Sequence, residues 1–383
     1  MFYLILTWLV SPFLWLRIAF RGKVKVKRVL VLHTAKIGDF VSVTQVFRLI
    51  KQGIPGVNTS VLLDPVNVPL AESVAEIDKI IPCRPGGVGG WRGKVWLWRE
   101  LIQDYDAIVI LTPGLSLFLC ALWAAIPIRV AILPDRRQGI IRMAYPFLTH
   151  GERHRAGQTS RETAFRALTG IGLAFHSEYK TLPNRVQLTQ AGMALAKELL
   201  GEDGTTWVGI GIGAGNRMKA LSKEQLIVLC QMILARTGAR VVLVGGRGDQ
   251  ELAEQLLSAL PFPGVVDATG RFQLADLPSL LARLSCFLGV DSGPTYLADA
   301  AGVPVVDYMG PADSLDQRPV GLKAVVINSN EQCAPCSHTF DSPYACHRGN
   351  RACIANAPLQ LMVEALESIL KNENNSGFQS KFI

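Results

Sequence analysis

Short apolar runs rich in β-branched residues alternate with helical stretches along most of this 383-residue chain. The run RVLVLHT (28–34) reads as one continuous buried strand, and a loop and a helical stretch through Ile50 follow it. Strands that are buried on both faces belong to parallel sheets, because crossover helices cover both sides of such sheets. The alternation therefore predicts an α/β fold built on parallel sheets.

A polar stretch, HSEYKTLPNRVQLT (176–189), interrupts this alternation, and a second series begins at TTWVGIGIG (205–213). A chain of this length is long enough for two domains. We predict two tandem, doubly wound Rossmann-like domains, with ligands bound at the carboxyl ends of the strands in the cleft between them. The predicted parts are an apolar segment with a basic flank (1–27), the two domains (28–180 and 181–371) and a disordered tail (372–383).

The first 20 residues, MFYLILTWLVSPFLWLRIAF, contain 16 hydrophobic residues and are followed by the basic stretch RGKVKVKR. A helix needs about 20 apolar residues to cross a bilayer. The charges follow the apolar stretch and no small-residue cleavage site is present, so the segment does not resemble a cleavable signal peptide. It can be a spanning anchor, a helix lying in the membrane interface or a buried helix of the first domain. In the first two cases the basic flank keeps the body of the protein in the cytoplasm.

The net charge of +8 comes from 39 basic and 31 acidic residues. Six basic residues lie within the first 28 residues, which leaves 33 basic against 31 acidic residues in the rest of the chain. Nucleic-acid binding requires a basic face on a domain, so nucleic acid is excluded as a partner. Between Arg129 and Arg166, eight arginines stand against three acids. This local excess of +5 suits an anionic acceptor, or it is a solvated basic surface.

The segment GVDSGPTYLADAAGVPVV (289–306) predicts a buried strand that ends at Asp291 and turns directly into a helix. The free N–H groups and the dipole at the start of such a helix suit a diphosphate. The same residues can also form an ordinary capped turn.

The segment GIGIGAGNRMKALS (209–222) places a glycine-rich loop after a strand, where a phosphate can approach the backbone and Lys219 can balance its charge. Gly209, Gly211 and Ala214 match the spacing of a dinucleotide fingerprint. However, the helix begins only at about Ser222 and no acidic residue follows at the required distance, so a nicotinamide enzyme is disfavoured.

The segment AKIGDFVSVTQV (35–46) places Asp39 where the first strand meets a helix. A carboxylate at that position can act as a general base towards a hydroxyl, or it can cap the helix.

Taken together and in order, these segments resemble the ADP-heptose:lipopolysaccharide heptosyltransferases, glycosyltransferase family 9. The resemblance covers about residues 28–370. The residues that carry it are VLVLHTAKIGDFVSVTQVFRLI for the strand and its glycine–aspartate pair, GIGAGNRMKALSKEQ for the nucleotide loop, VVLVGGRGDQE for the second-domain glycine pair and GVDSGPTYLADAAGVPVVDYMGP for the aspartate–serine–glycine–proline signature.

The resemblance implies a GT-B fold and an inverting transfer of a sugar, commonly from ADP-heptose, to a lipopolysaccharide core acceptor at the cytoplasmic face of the bacterial inner membrane. It implies no metal or other cofactor. The partners would be a nucleotide sugar, a lipid-linked anionic glycan and the membrane surface. Asp39 would be the general base and Lys219 would stabilise the leaving diphosphate. The donor would contact Gly38, Gly213, Ala214, Gly245, Gly246, Asp291, Ser292, Gly293, Pro294 and Tyr296.

Two departures from the family pattern leave the donor sugar open. Tyr296 stands where members of the family usually carry histidine. Ala220, Leu221 and Ser222 follow the loop lysine, where members of the family often have an aromatic residue and a proline. Two other classes of protein also remain. One is a nucleotide-sugar epimerase or hydrolase on the same fold, which would need no membrane anchor. The other is a non-catalytic binding protein, against which the presence of Asp39 and Lys219 argues.

Four cysteines near the end of the chain follow the spacing C-x2-C-x9-C-x6-C: Cys333, Cys336, Cys346 and Cys353. A cytoplasmic setting argues against disulfides. The cluster therefore forms either a structural zinc site or a group of free thiols.

Overall fold

The computed structural model describes residues 2–22, 24–84, 87, 89–102, 105–136, 138–202, 204–260, 263–321 and 323–372. The chain divides into two compact units, Met1–Lys180 and Thr181–Ile383. Both units are built on parallel sheets with helices on their faces, which confirms the predicted α/β class with two Rossmann-like folds. Of the predicted tail (372–383), Asn372 ends the last helix and residues 373–383 lie outside the described residues.

In the described part of the first unit, six parallel strands form a sheet in the order β3-β2-β1-β4-β5-β6. The apolar runs predict four of these strands. The other two, KIIP and HGER, were not predicted because they are short, lie at the sheet edges and alternate with exposed positions. The strands are β1 (Arg28–His33), β2 (Asn58–Leu63), β3 (Lys79–Pro82), β4 (Ala107–Ile110), β5 (Ile128–Leu133) and β6 (His150–Arg153).

The helical stretch predicted through Ile50 is two helices that meet at Thr44. The Thr44 hydroxyl donates to the Val41 carbonyl at 3.0 Å, a side-chain bond that competes with the regular helix ladder. The helices of the first unit are α1 (Phe2–Ala19), α2 (Ile37–Val43), α3 (Gln45–Gly53), α4 (Val68–Ala71), α5 (Gly90–Leu101), α6 (Leu115–Trp123) and α7 (Ser160–Ala167), with 3₁₀ turns at Pro65–Asn67, Gly139–Phe147, Leu168–Ile171 and Ser177–Thr181.

The second unit has the same architecture as the first, a six-stranded parallel sheet with helices on its faces. Its described strands lie in the order β12-β11-β10-β7-β8-β9, again all parallel. They are β7 (Trp207–Gly211), β8 (Arg240–Val244), β9 (Val265–Asp267), β10 (Cys286–Val290), β11 (Val305–Gly310) and β12 (Ala324–Asn328). The helices are α8 (Gln190–Leu200), α9 (Lys223–Thr237), α10 (Gln250–Ala259), α11 (Leu277–Leu281), α12 (Gly293–Ala300), α13 (Ala352–Ala355) and α14 (Leu359–Asn372), with 3₁₀ turns at Arg217–Lys219 and Arg247–Asp249.

Each sheet has one point where the strand order reverses, between β1 and β4 in the first unit and between β7 and β10 in the second. The connections on the two sides of such a point leave in opposite directions, so a crevice opens at the carboxyl ends of the two strands. Asp39 follows β1, whereas Lys219 follows β7 and Asp291 follows β10. The topology therefore places the predicted functional residues at the two positions where open α/β sheets bind ligands.

Candidate functional site

One predicted catalytic residue and two predicted donor-binding residues form one cluster at the switch point of the second unit. The ammonium of Lys219, at the end of its 3₁₀ turn, forms an ion pair with Oδ2 of Asp291. The hydroxyl of Tyr296, on α12, donates to Oδ1 of the same carboxylate at 2.8 Å. Both side chains of the ion pair are largely buried, with 16% of Lys219 and 10% of Asp291 exposed. The cluster therefore places a positive charge, held by a carboxylate, beside the start of a helix.

Tyr296 holds the Asp291 carboxylate in place. Its side chain is buried, and its hydroxyl donates a hydrogen bond to that carboxylate. The phenol that replaces the family's histidine thus has a defined role, to hold the partner of Lys219 in place. An arriving diphosphate would compete with this carboxylate for Lys219.

The N-terminus of α12 offers fewer N–H groups than its sequence suggests. Ser292 is the N-cap residue in an extended conformation, and its hydroxyl lies 3.3 Å from that of Thr295. Pro294 has no N–H, and the N–H of Thr295 already donates to the Ser292 carbonyl. The N–H of Gly293 lies at the first position of the helix, where it and the helix dipole favour an anion.

Three of the four predicted donor glycines of the second unit surround Asp249, a residue that the sequence analysis did not single out. A Cβ on Gly213 would lie 2.5 Å from the Asp249 carboxylate, and one on Gly245 would lie 3.0 Å from its Cβ. The N–H of Gly246 donates to Oδ2 of Asp249 at 2.9 Å. These glycines therefore make room for the carboxylate that caps the turn after β8, while Ala214 packs against the core. The spacing Gly246-x-x-Asp249 is the sequence feature that could have identified Asp249 as a capping residue.

We expect the substitution Gly213→Ala to displace the Asp249 carboxylate and to break its bond to Gly246. Loss of such a cap costs about 0.5–2 kcal/mol. Thermal or urea unfolding would measure this cost. Gly215→Ala is the matched control, because nothing lies within 4 Å of a Cβ there. Equal stabilities of the two variants would contradict the role given to Gly213.

Asp307 is a second residue near the cluster that the sequence analysis missed. It lies in β11 opposite Gly289 of β10, and no part of its side chain is exposed. Neither carboxyl oxygen has a hydrogen-bond partner among the described residues. Burial raises the pKa of Asp307 well above its ordinary value, and the charge of Asp291 raises it further. A protonated Asp307 adds no negative charge beside the Lys219–Asp291 pair.

We expect the substitution Asp307→Asn to stabilise the fold increasingly as the pH rises. In the wild type the unfolded chain ionises this group from about pH 3.8 upward, whereas the folded chain keeps its proton. The folded state then binds more protons, so stability falls with rising pH, and asparagine removes that loss. Melting temperatures of both proteins from acid to neutral pH would test this. Parallel curves would show that Asp307 is ionised in the folded protein.

Asp39 occupies the first turn of α2, at the switch point of the first unit. The N-cap residue of α2 is Lys36, so Asp39 is not the N-cap residue itself. Asp39 lies three residues further on and is partly buried, where the helix dipole favours a negative charge. Gly38, before it, is buried and accepts a hydrogen bond from the Ser42 hydroxyl at 2.7 Å. The buried Asn67 holds the preceding loop through the Ala35 carbonyl at 2.9 Å.

The two parts of the predicted site belong to different units. Asp39 and Gly38 lie in the first unit, and the Lys219–Asp291–Tyr296 cluster lies in the second. A common cleft between the domains stays a prediction.

The arginine-rich segment 129–166 is less basic at the surface than predicted. Arg129 and Arg161 are buried, and Arg166 forms an ion pair with Glu162 at 3.1 Å. Arg129 donates to the carbonyls of Phe147 and Ile126, and burial lowers its pKa to about 10. Two of the eight arginines therefore serve the core, and the role of the others, towards an anionic acceptor or as a solvated surface, stays a prediction.

The four clustered cysteines are in no disulfide, and they lie close enough to influence one another. Burial raises the pKa of Cys336, and the neighbouring Cys333 and Cys346 add to this. Burial likewise raises the pKa of Cys353 to about 11. At Cys346 the backbone N–H of Arg351 lowers the thiol pKa. A zinc ion bound by this group stays a prediction.

Another group with the chemistry of metal ligands, Asp313, Asp316 and His338, was not foreseen from any spacing. Nδ1 of His338 lies 3.1 Å from Asp313 and 3.4 Å from Asp316, and the ligand atoms all lie within 4.8 Å of one another. The carboxylates also accept the N–H groups of Leu315 and Thr339. These bonds tie the segment after β11 to the cysteine segment, which is a structural role.

Comparison with known proteins connects this geometry to one family. Residues 95–345 (251 of 383) match the sequence profile of glycosyltransferase family 9 (heptosyltransferase). An Escherichia coli protein named lipopolysaccharide heptosyltransferase 3 is 24% identical over 300 residues, which cover 74% of this chain and 83% of that protein.

Two solved structures share the fold over most of both chains. A family 9 glycosyl transferase from Veillonella parvula DSM 2008 is 20% identical with a TM-score of 0.75, covering 91% of this chain and 99% of that one. The E. coli ADP-heptose lps heptosyltransferase II is also 20% identical, with a TM-score of 0.66 and the same coverages. The chain belongs to glycosyltransferase family 9, and it is a glycosyltransferase with the GT-B fold.

Proposed function

We propose that this glycosyltransferase moves heptose from ADP-heptose, with inversion, onto a lipopolysaccharide core acceptor at the cytoplasmic face of the bacterial inner membrane. The observation that carries the proposal is the Lys219–Asp291–Tyr296 cluster beside the N-terminus of α12. The names of the relatives support the choice of sugar and acceptor, since they are a lipopolysaccharide heptosyltransferase and an ADP-heptose lps heptosyltransferase.

In the proposed reaction, an acceptor hydroxyl oxygen attacks the anomeric carbon of the donor from the face opposite the diphosphate. The bond between the anomeric carbon and the diphosphate oxygen breaks, and ADP leaves with that electron pair. Asp39 takes the proton of the attacking hydroxyl. A positioned base of this kind contributes about 10²–10⁴-fold to a rate.

The second unit would stabilise the leaving group. Lys219 exchanges part of its contact with Asp291 for the diphosphate, while the Gly293 N–H and the dipole of α12 face the same charge. Tyr296 holds Asp291 in position during this exchange. These residues supply positive charge where negative charge develops.

The membrane location rests on the first 28 residues and on the nature of the acceptor. The helix α1 is long and apolar enough to cross a membrane, and a basic flank follows it. A lipid-linked acceptor would lie at that surface.

Thermal unfolding of the full chain with ADP, UDP, GDP and their sugars tests the donor. A ligand at 100 times its Kd adds about 2.7 kcal/mol to the stability. We expect a shift with ADP and ADP-heptose, and the variant Lys219→Met should reduce it. A shift with UDP or GDP sugars alone would keep the transferase and overturn the heptose donor. No shift with any of them would contradict donor binding.

A further inference from the structure

One face of α1 is fixed to the first unit. Its buried residues, Leu4, Thr7, Ser11 and Leu14, form a stripe along the helix, and α1 packs on α6. The indole of Trp123 donates to the Thr7 hydroxyl at 2.8 Å and stacks on Tyr3 with ring centroids 6.0 Å apart. Towards the other end, the Arg129 guanidinium lies 4.8 Å from the centroid of the Trp15 ring. A helix crossing a bilayer would have to give up these contacts.

The opposite face of α1 is apolar and exposed. Leu9 is 70% exposed and Phe13 is 73% exposed, near the middle of the helix. An apolar helix face of this length does not stay in water without a partner when its other face is already packed. The exposed large apolar residues of α1 and its end are Phe2, Ile5, Trp8, Leu9, Phe13, Trp15, Leu16 and Phe20.

Two neighbouring elements extend this face. The Lys94 ammonium of α5 lies 5.5 Å from the centroid of the Tyr3 ring, and Trp8 packs against Phe147 of the 3₁₀ segment Gly139–Phe147 at 4.7 Å. All three elements belong to the core cluster that covers one side of the first sheet. They also expose Trp91, Val95, Trp98, Ile140 and Met143. We name the exposed apolar residues of α1, α5 and residues 139–147 the apolar surface.

The residue types of these elements match a membrane interface. Six of the seven tryptophans of the chain lie on α1, α5 and α6. Tryptophan is enriched at the headgroup level of bilayers. The three segments that carry the apolar surface hold five basic residues and one acid, Glu100. Among the described residues, the basic residues there and in the flank after α1 are Arg17, Arg21, Lys25, Lys27, Arg28, Arg92, Lys94, Arg99 and Arg142.

We propose that the apolar surface binds an anionic lipid bilayer, with α1 lying in the plane of the interface instead of crossing the membrane. The apolar side chains enter the boundary between headgroups and acyl chains, and the basic residues pair with anionic headgroups. The excess of positive charge favours a bilayer over a second copy of this chain, because two copies of this surface would repel each other. The membrane location is the one feature that this binding shares with the proposed function, and binding to lipid needs no sugar donor.

Co-sedimentation of the full chain with vesicles tests the surface. We expect binding to vesicles of phosphatidylcholine with phosphatidylglycerol, and weaker binding to phosphatidylcholine alone. At about 1 M salt, where the Debye length is about 3 Å, the preference for phosphatidylglycerol should disappear. Failure of the wild type to bind the anionic vesicles would overturn the proposal.

The variant Leu9→Glu/Phe13→Glu should bind these vesicles at least about tenfold less, because each apolar side chain that enters the bilayer contributes roughly tenfold or more. Both positions are exposed, so the melting temperature should not change. The matched control is Leu315→Glu/Tyr344→Glu, which alters two exposed apolar residues of the second unit and should bind like the wild type. Equal binding of all three proteins would overturn the assigned surface.

Sedimentation velocity without vesicles gives a second check. If the wild type is a dimer and the Leu9→Glu/Phe13→Glu variant is a monomer, the surface binds a second copy of the chain instead of a bilayer.

A separate experiment measures the orientation of α1. In the variant Phe13→Trp, the fluorescence of the new tryptophan, obtained by subtracting the wild-type spectrum, is quenched by brominated lipids and so reports the depth of this position in the vesicle. An in-plane helix places the residue about 5–10 Å into the headgroup and acyl boundary, so bromine near the headgroups should quench it most. Strongest quenching by bromine at the acyl-chain ends would mean that α1 crosses the bilayer.

Discussion

Replacing Asp39 by asparagine is expected to lower kcat by about 10²–10⁴-fold, the range for loss of a general base, and to leave ADP binding unchanged. Asparagine keeps the shape of the side chain but cannot accept the proton of the acceptor hydroxyl. The residues proposed to hold the diphosphate lie in the second unit, so the thermal shift with ADP should persist. The rate of heptose transfer from ADP-heptose and the ADP-induced shift, measured on the same preparation, would separate the two effects.

Asp64→Asn is the matched control for this substitution. Asp64 directly follows β2, at the same edge of the sheet, and its Oδ1 accepts the Val66 N–H at 3.0 Å. Asparagine can make the same bond, so this variant should transfer sugar like the wild type. An unchanged kcat for Asp39→Asn would show that another group takes the proton.

Replacing Lys219 by methionine should lower kcat by about 10²–10³-fold, as expected for removal of one electrostatic stabiliser of the leaving group. Methionine retains much of the apolar length of the side chain and loses the charge. Unlike Asp39→Asn, this variant should also bind ADP more weakly, because Lys219 contacts the diphosphate both before and after transfer. Single-turnover transfer and ADP titration would measure the two losses.

The structure also predicts a cost in stability for Lys219→Met. Asp291 would keep its hydrogen bond from Tyr296 but would lose its cationic partner in a largely buried setting. The melting temperature should therefore fall, and activity must be compared well below it. Lys223→Met, at the exposed first position of α9, is the control and should change neither property. A wild-type rate in the Lys219→Met variant would remove the residue from the mechanism.

The Tyr296–Asp291 bond explains how a departure from the family pattern is accommodated. A histidine and a tyrosine differ in charge and reach, so the sequence left the role of this position open. The structure shows the role of this residue. Tyr296 lies on α12, which begins just after Asp291, and its phenol points back to the Asp291 carboxylate. Tyr296→Phe would remove that bond alone and should weaken ADP binding less than Lys219→Met does.

Sequence patterns predicted the elements whose apolar residues are the buried ones in the structure. The central strands, such as β1 and β10, are continuous apolar runs because both faces of a parallel sheet are covered. The edge strands β3 and β6 of the first sheet escaped prediction because half of their residues are exposed, and the run HGER of β6 contains no hydrophobic residue. Segment order and motif spacing were sufficient for the family, and they located Asp39, Lys219 and Asp291 at strand ends.

The sequence by itself determined the α/β class, the apolar start of the chain and the identity of the charged groups, because these depend on periodicity and residue type. Only the tertiary structure decided which groups are buried and which meet. Asp307 lies within an apolar run, and its protonated state follows from complete burial beside Asp291. Arg129 became a core residue beneath Trp15, and α1 acquired one packed and one exposed face. Burial and pairing arise from contacts between residues far apart in the chain, so no local pattern could have determined them.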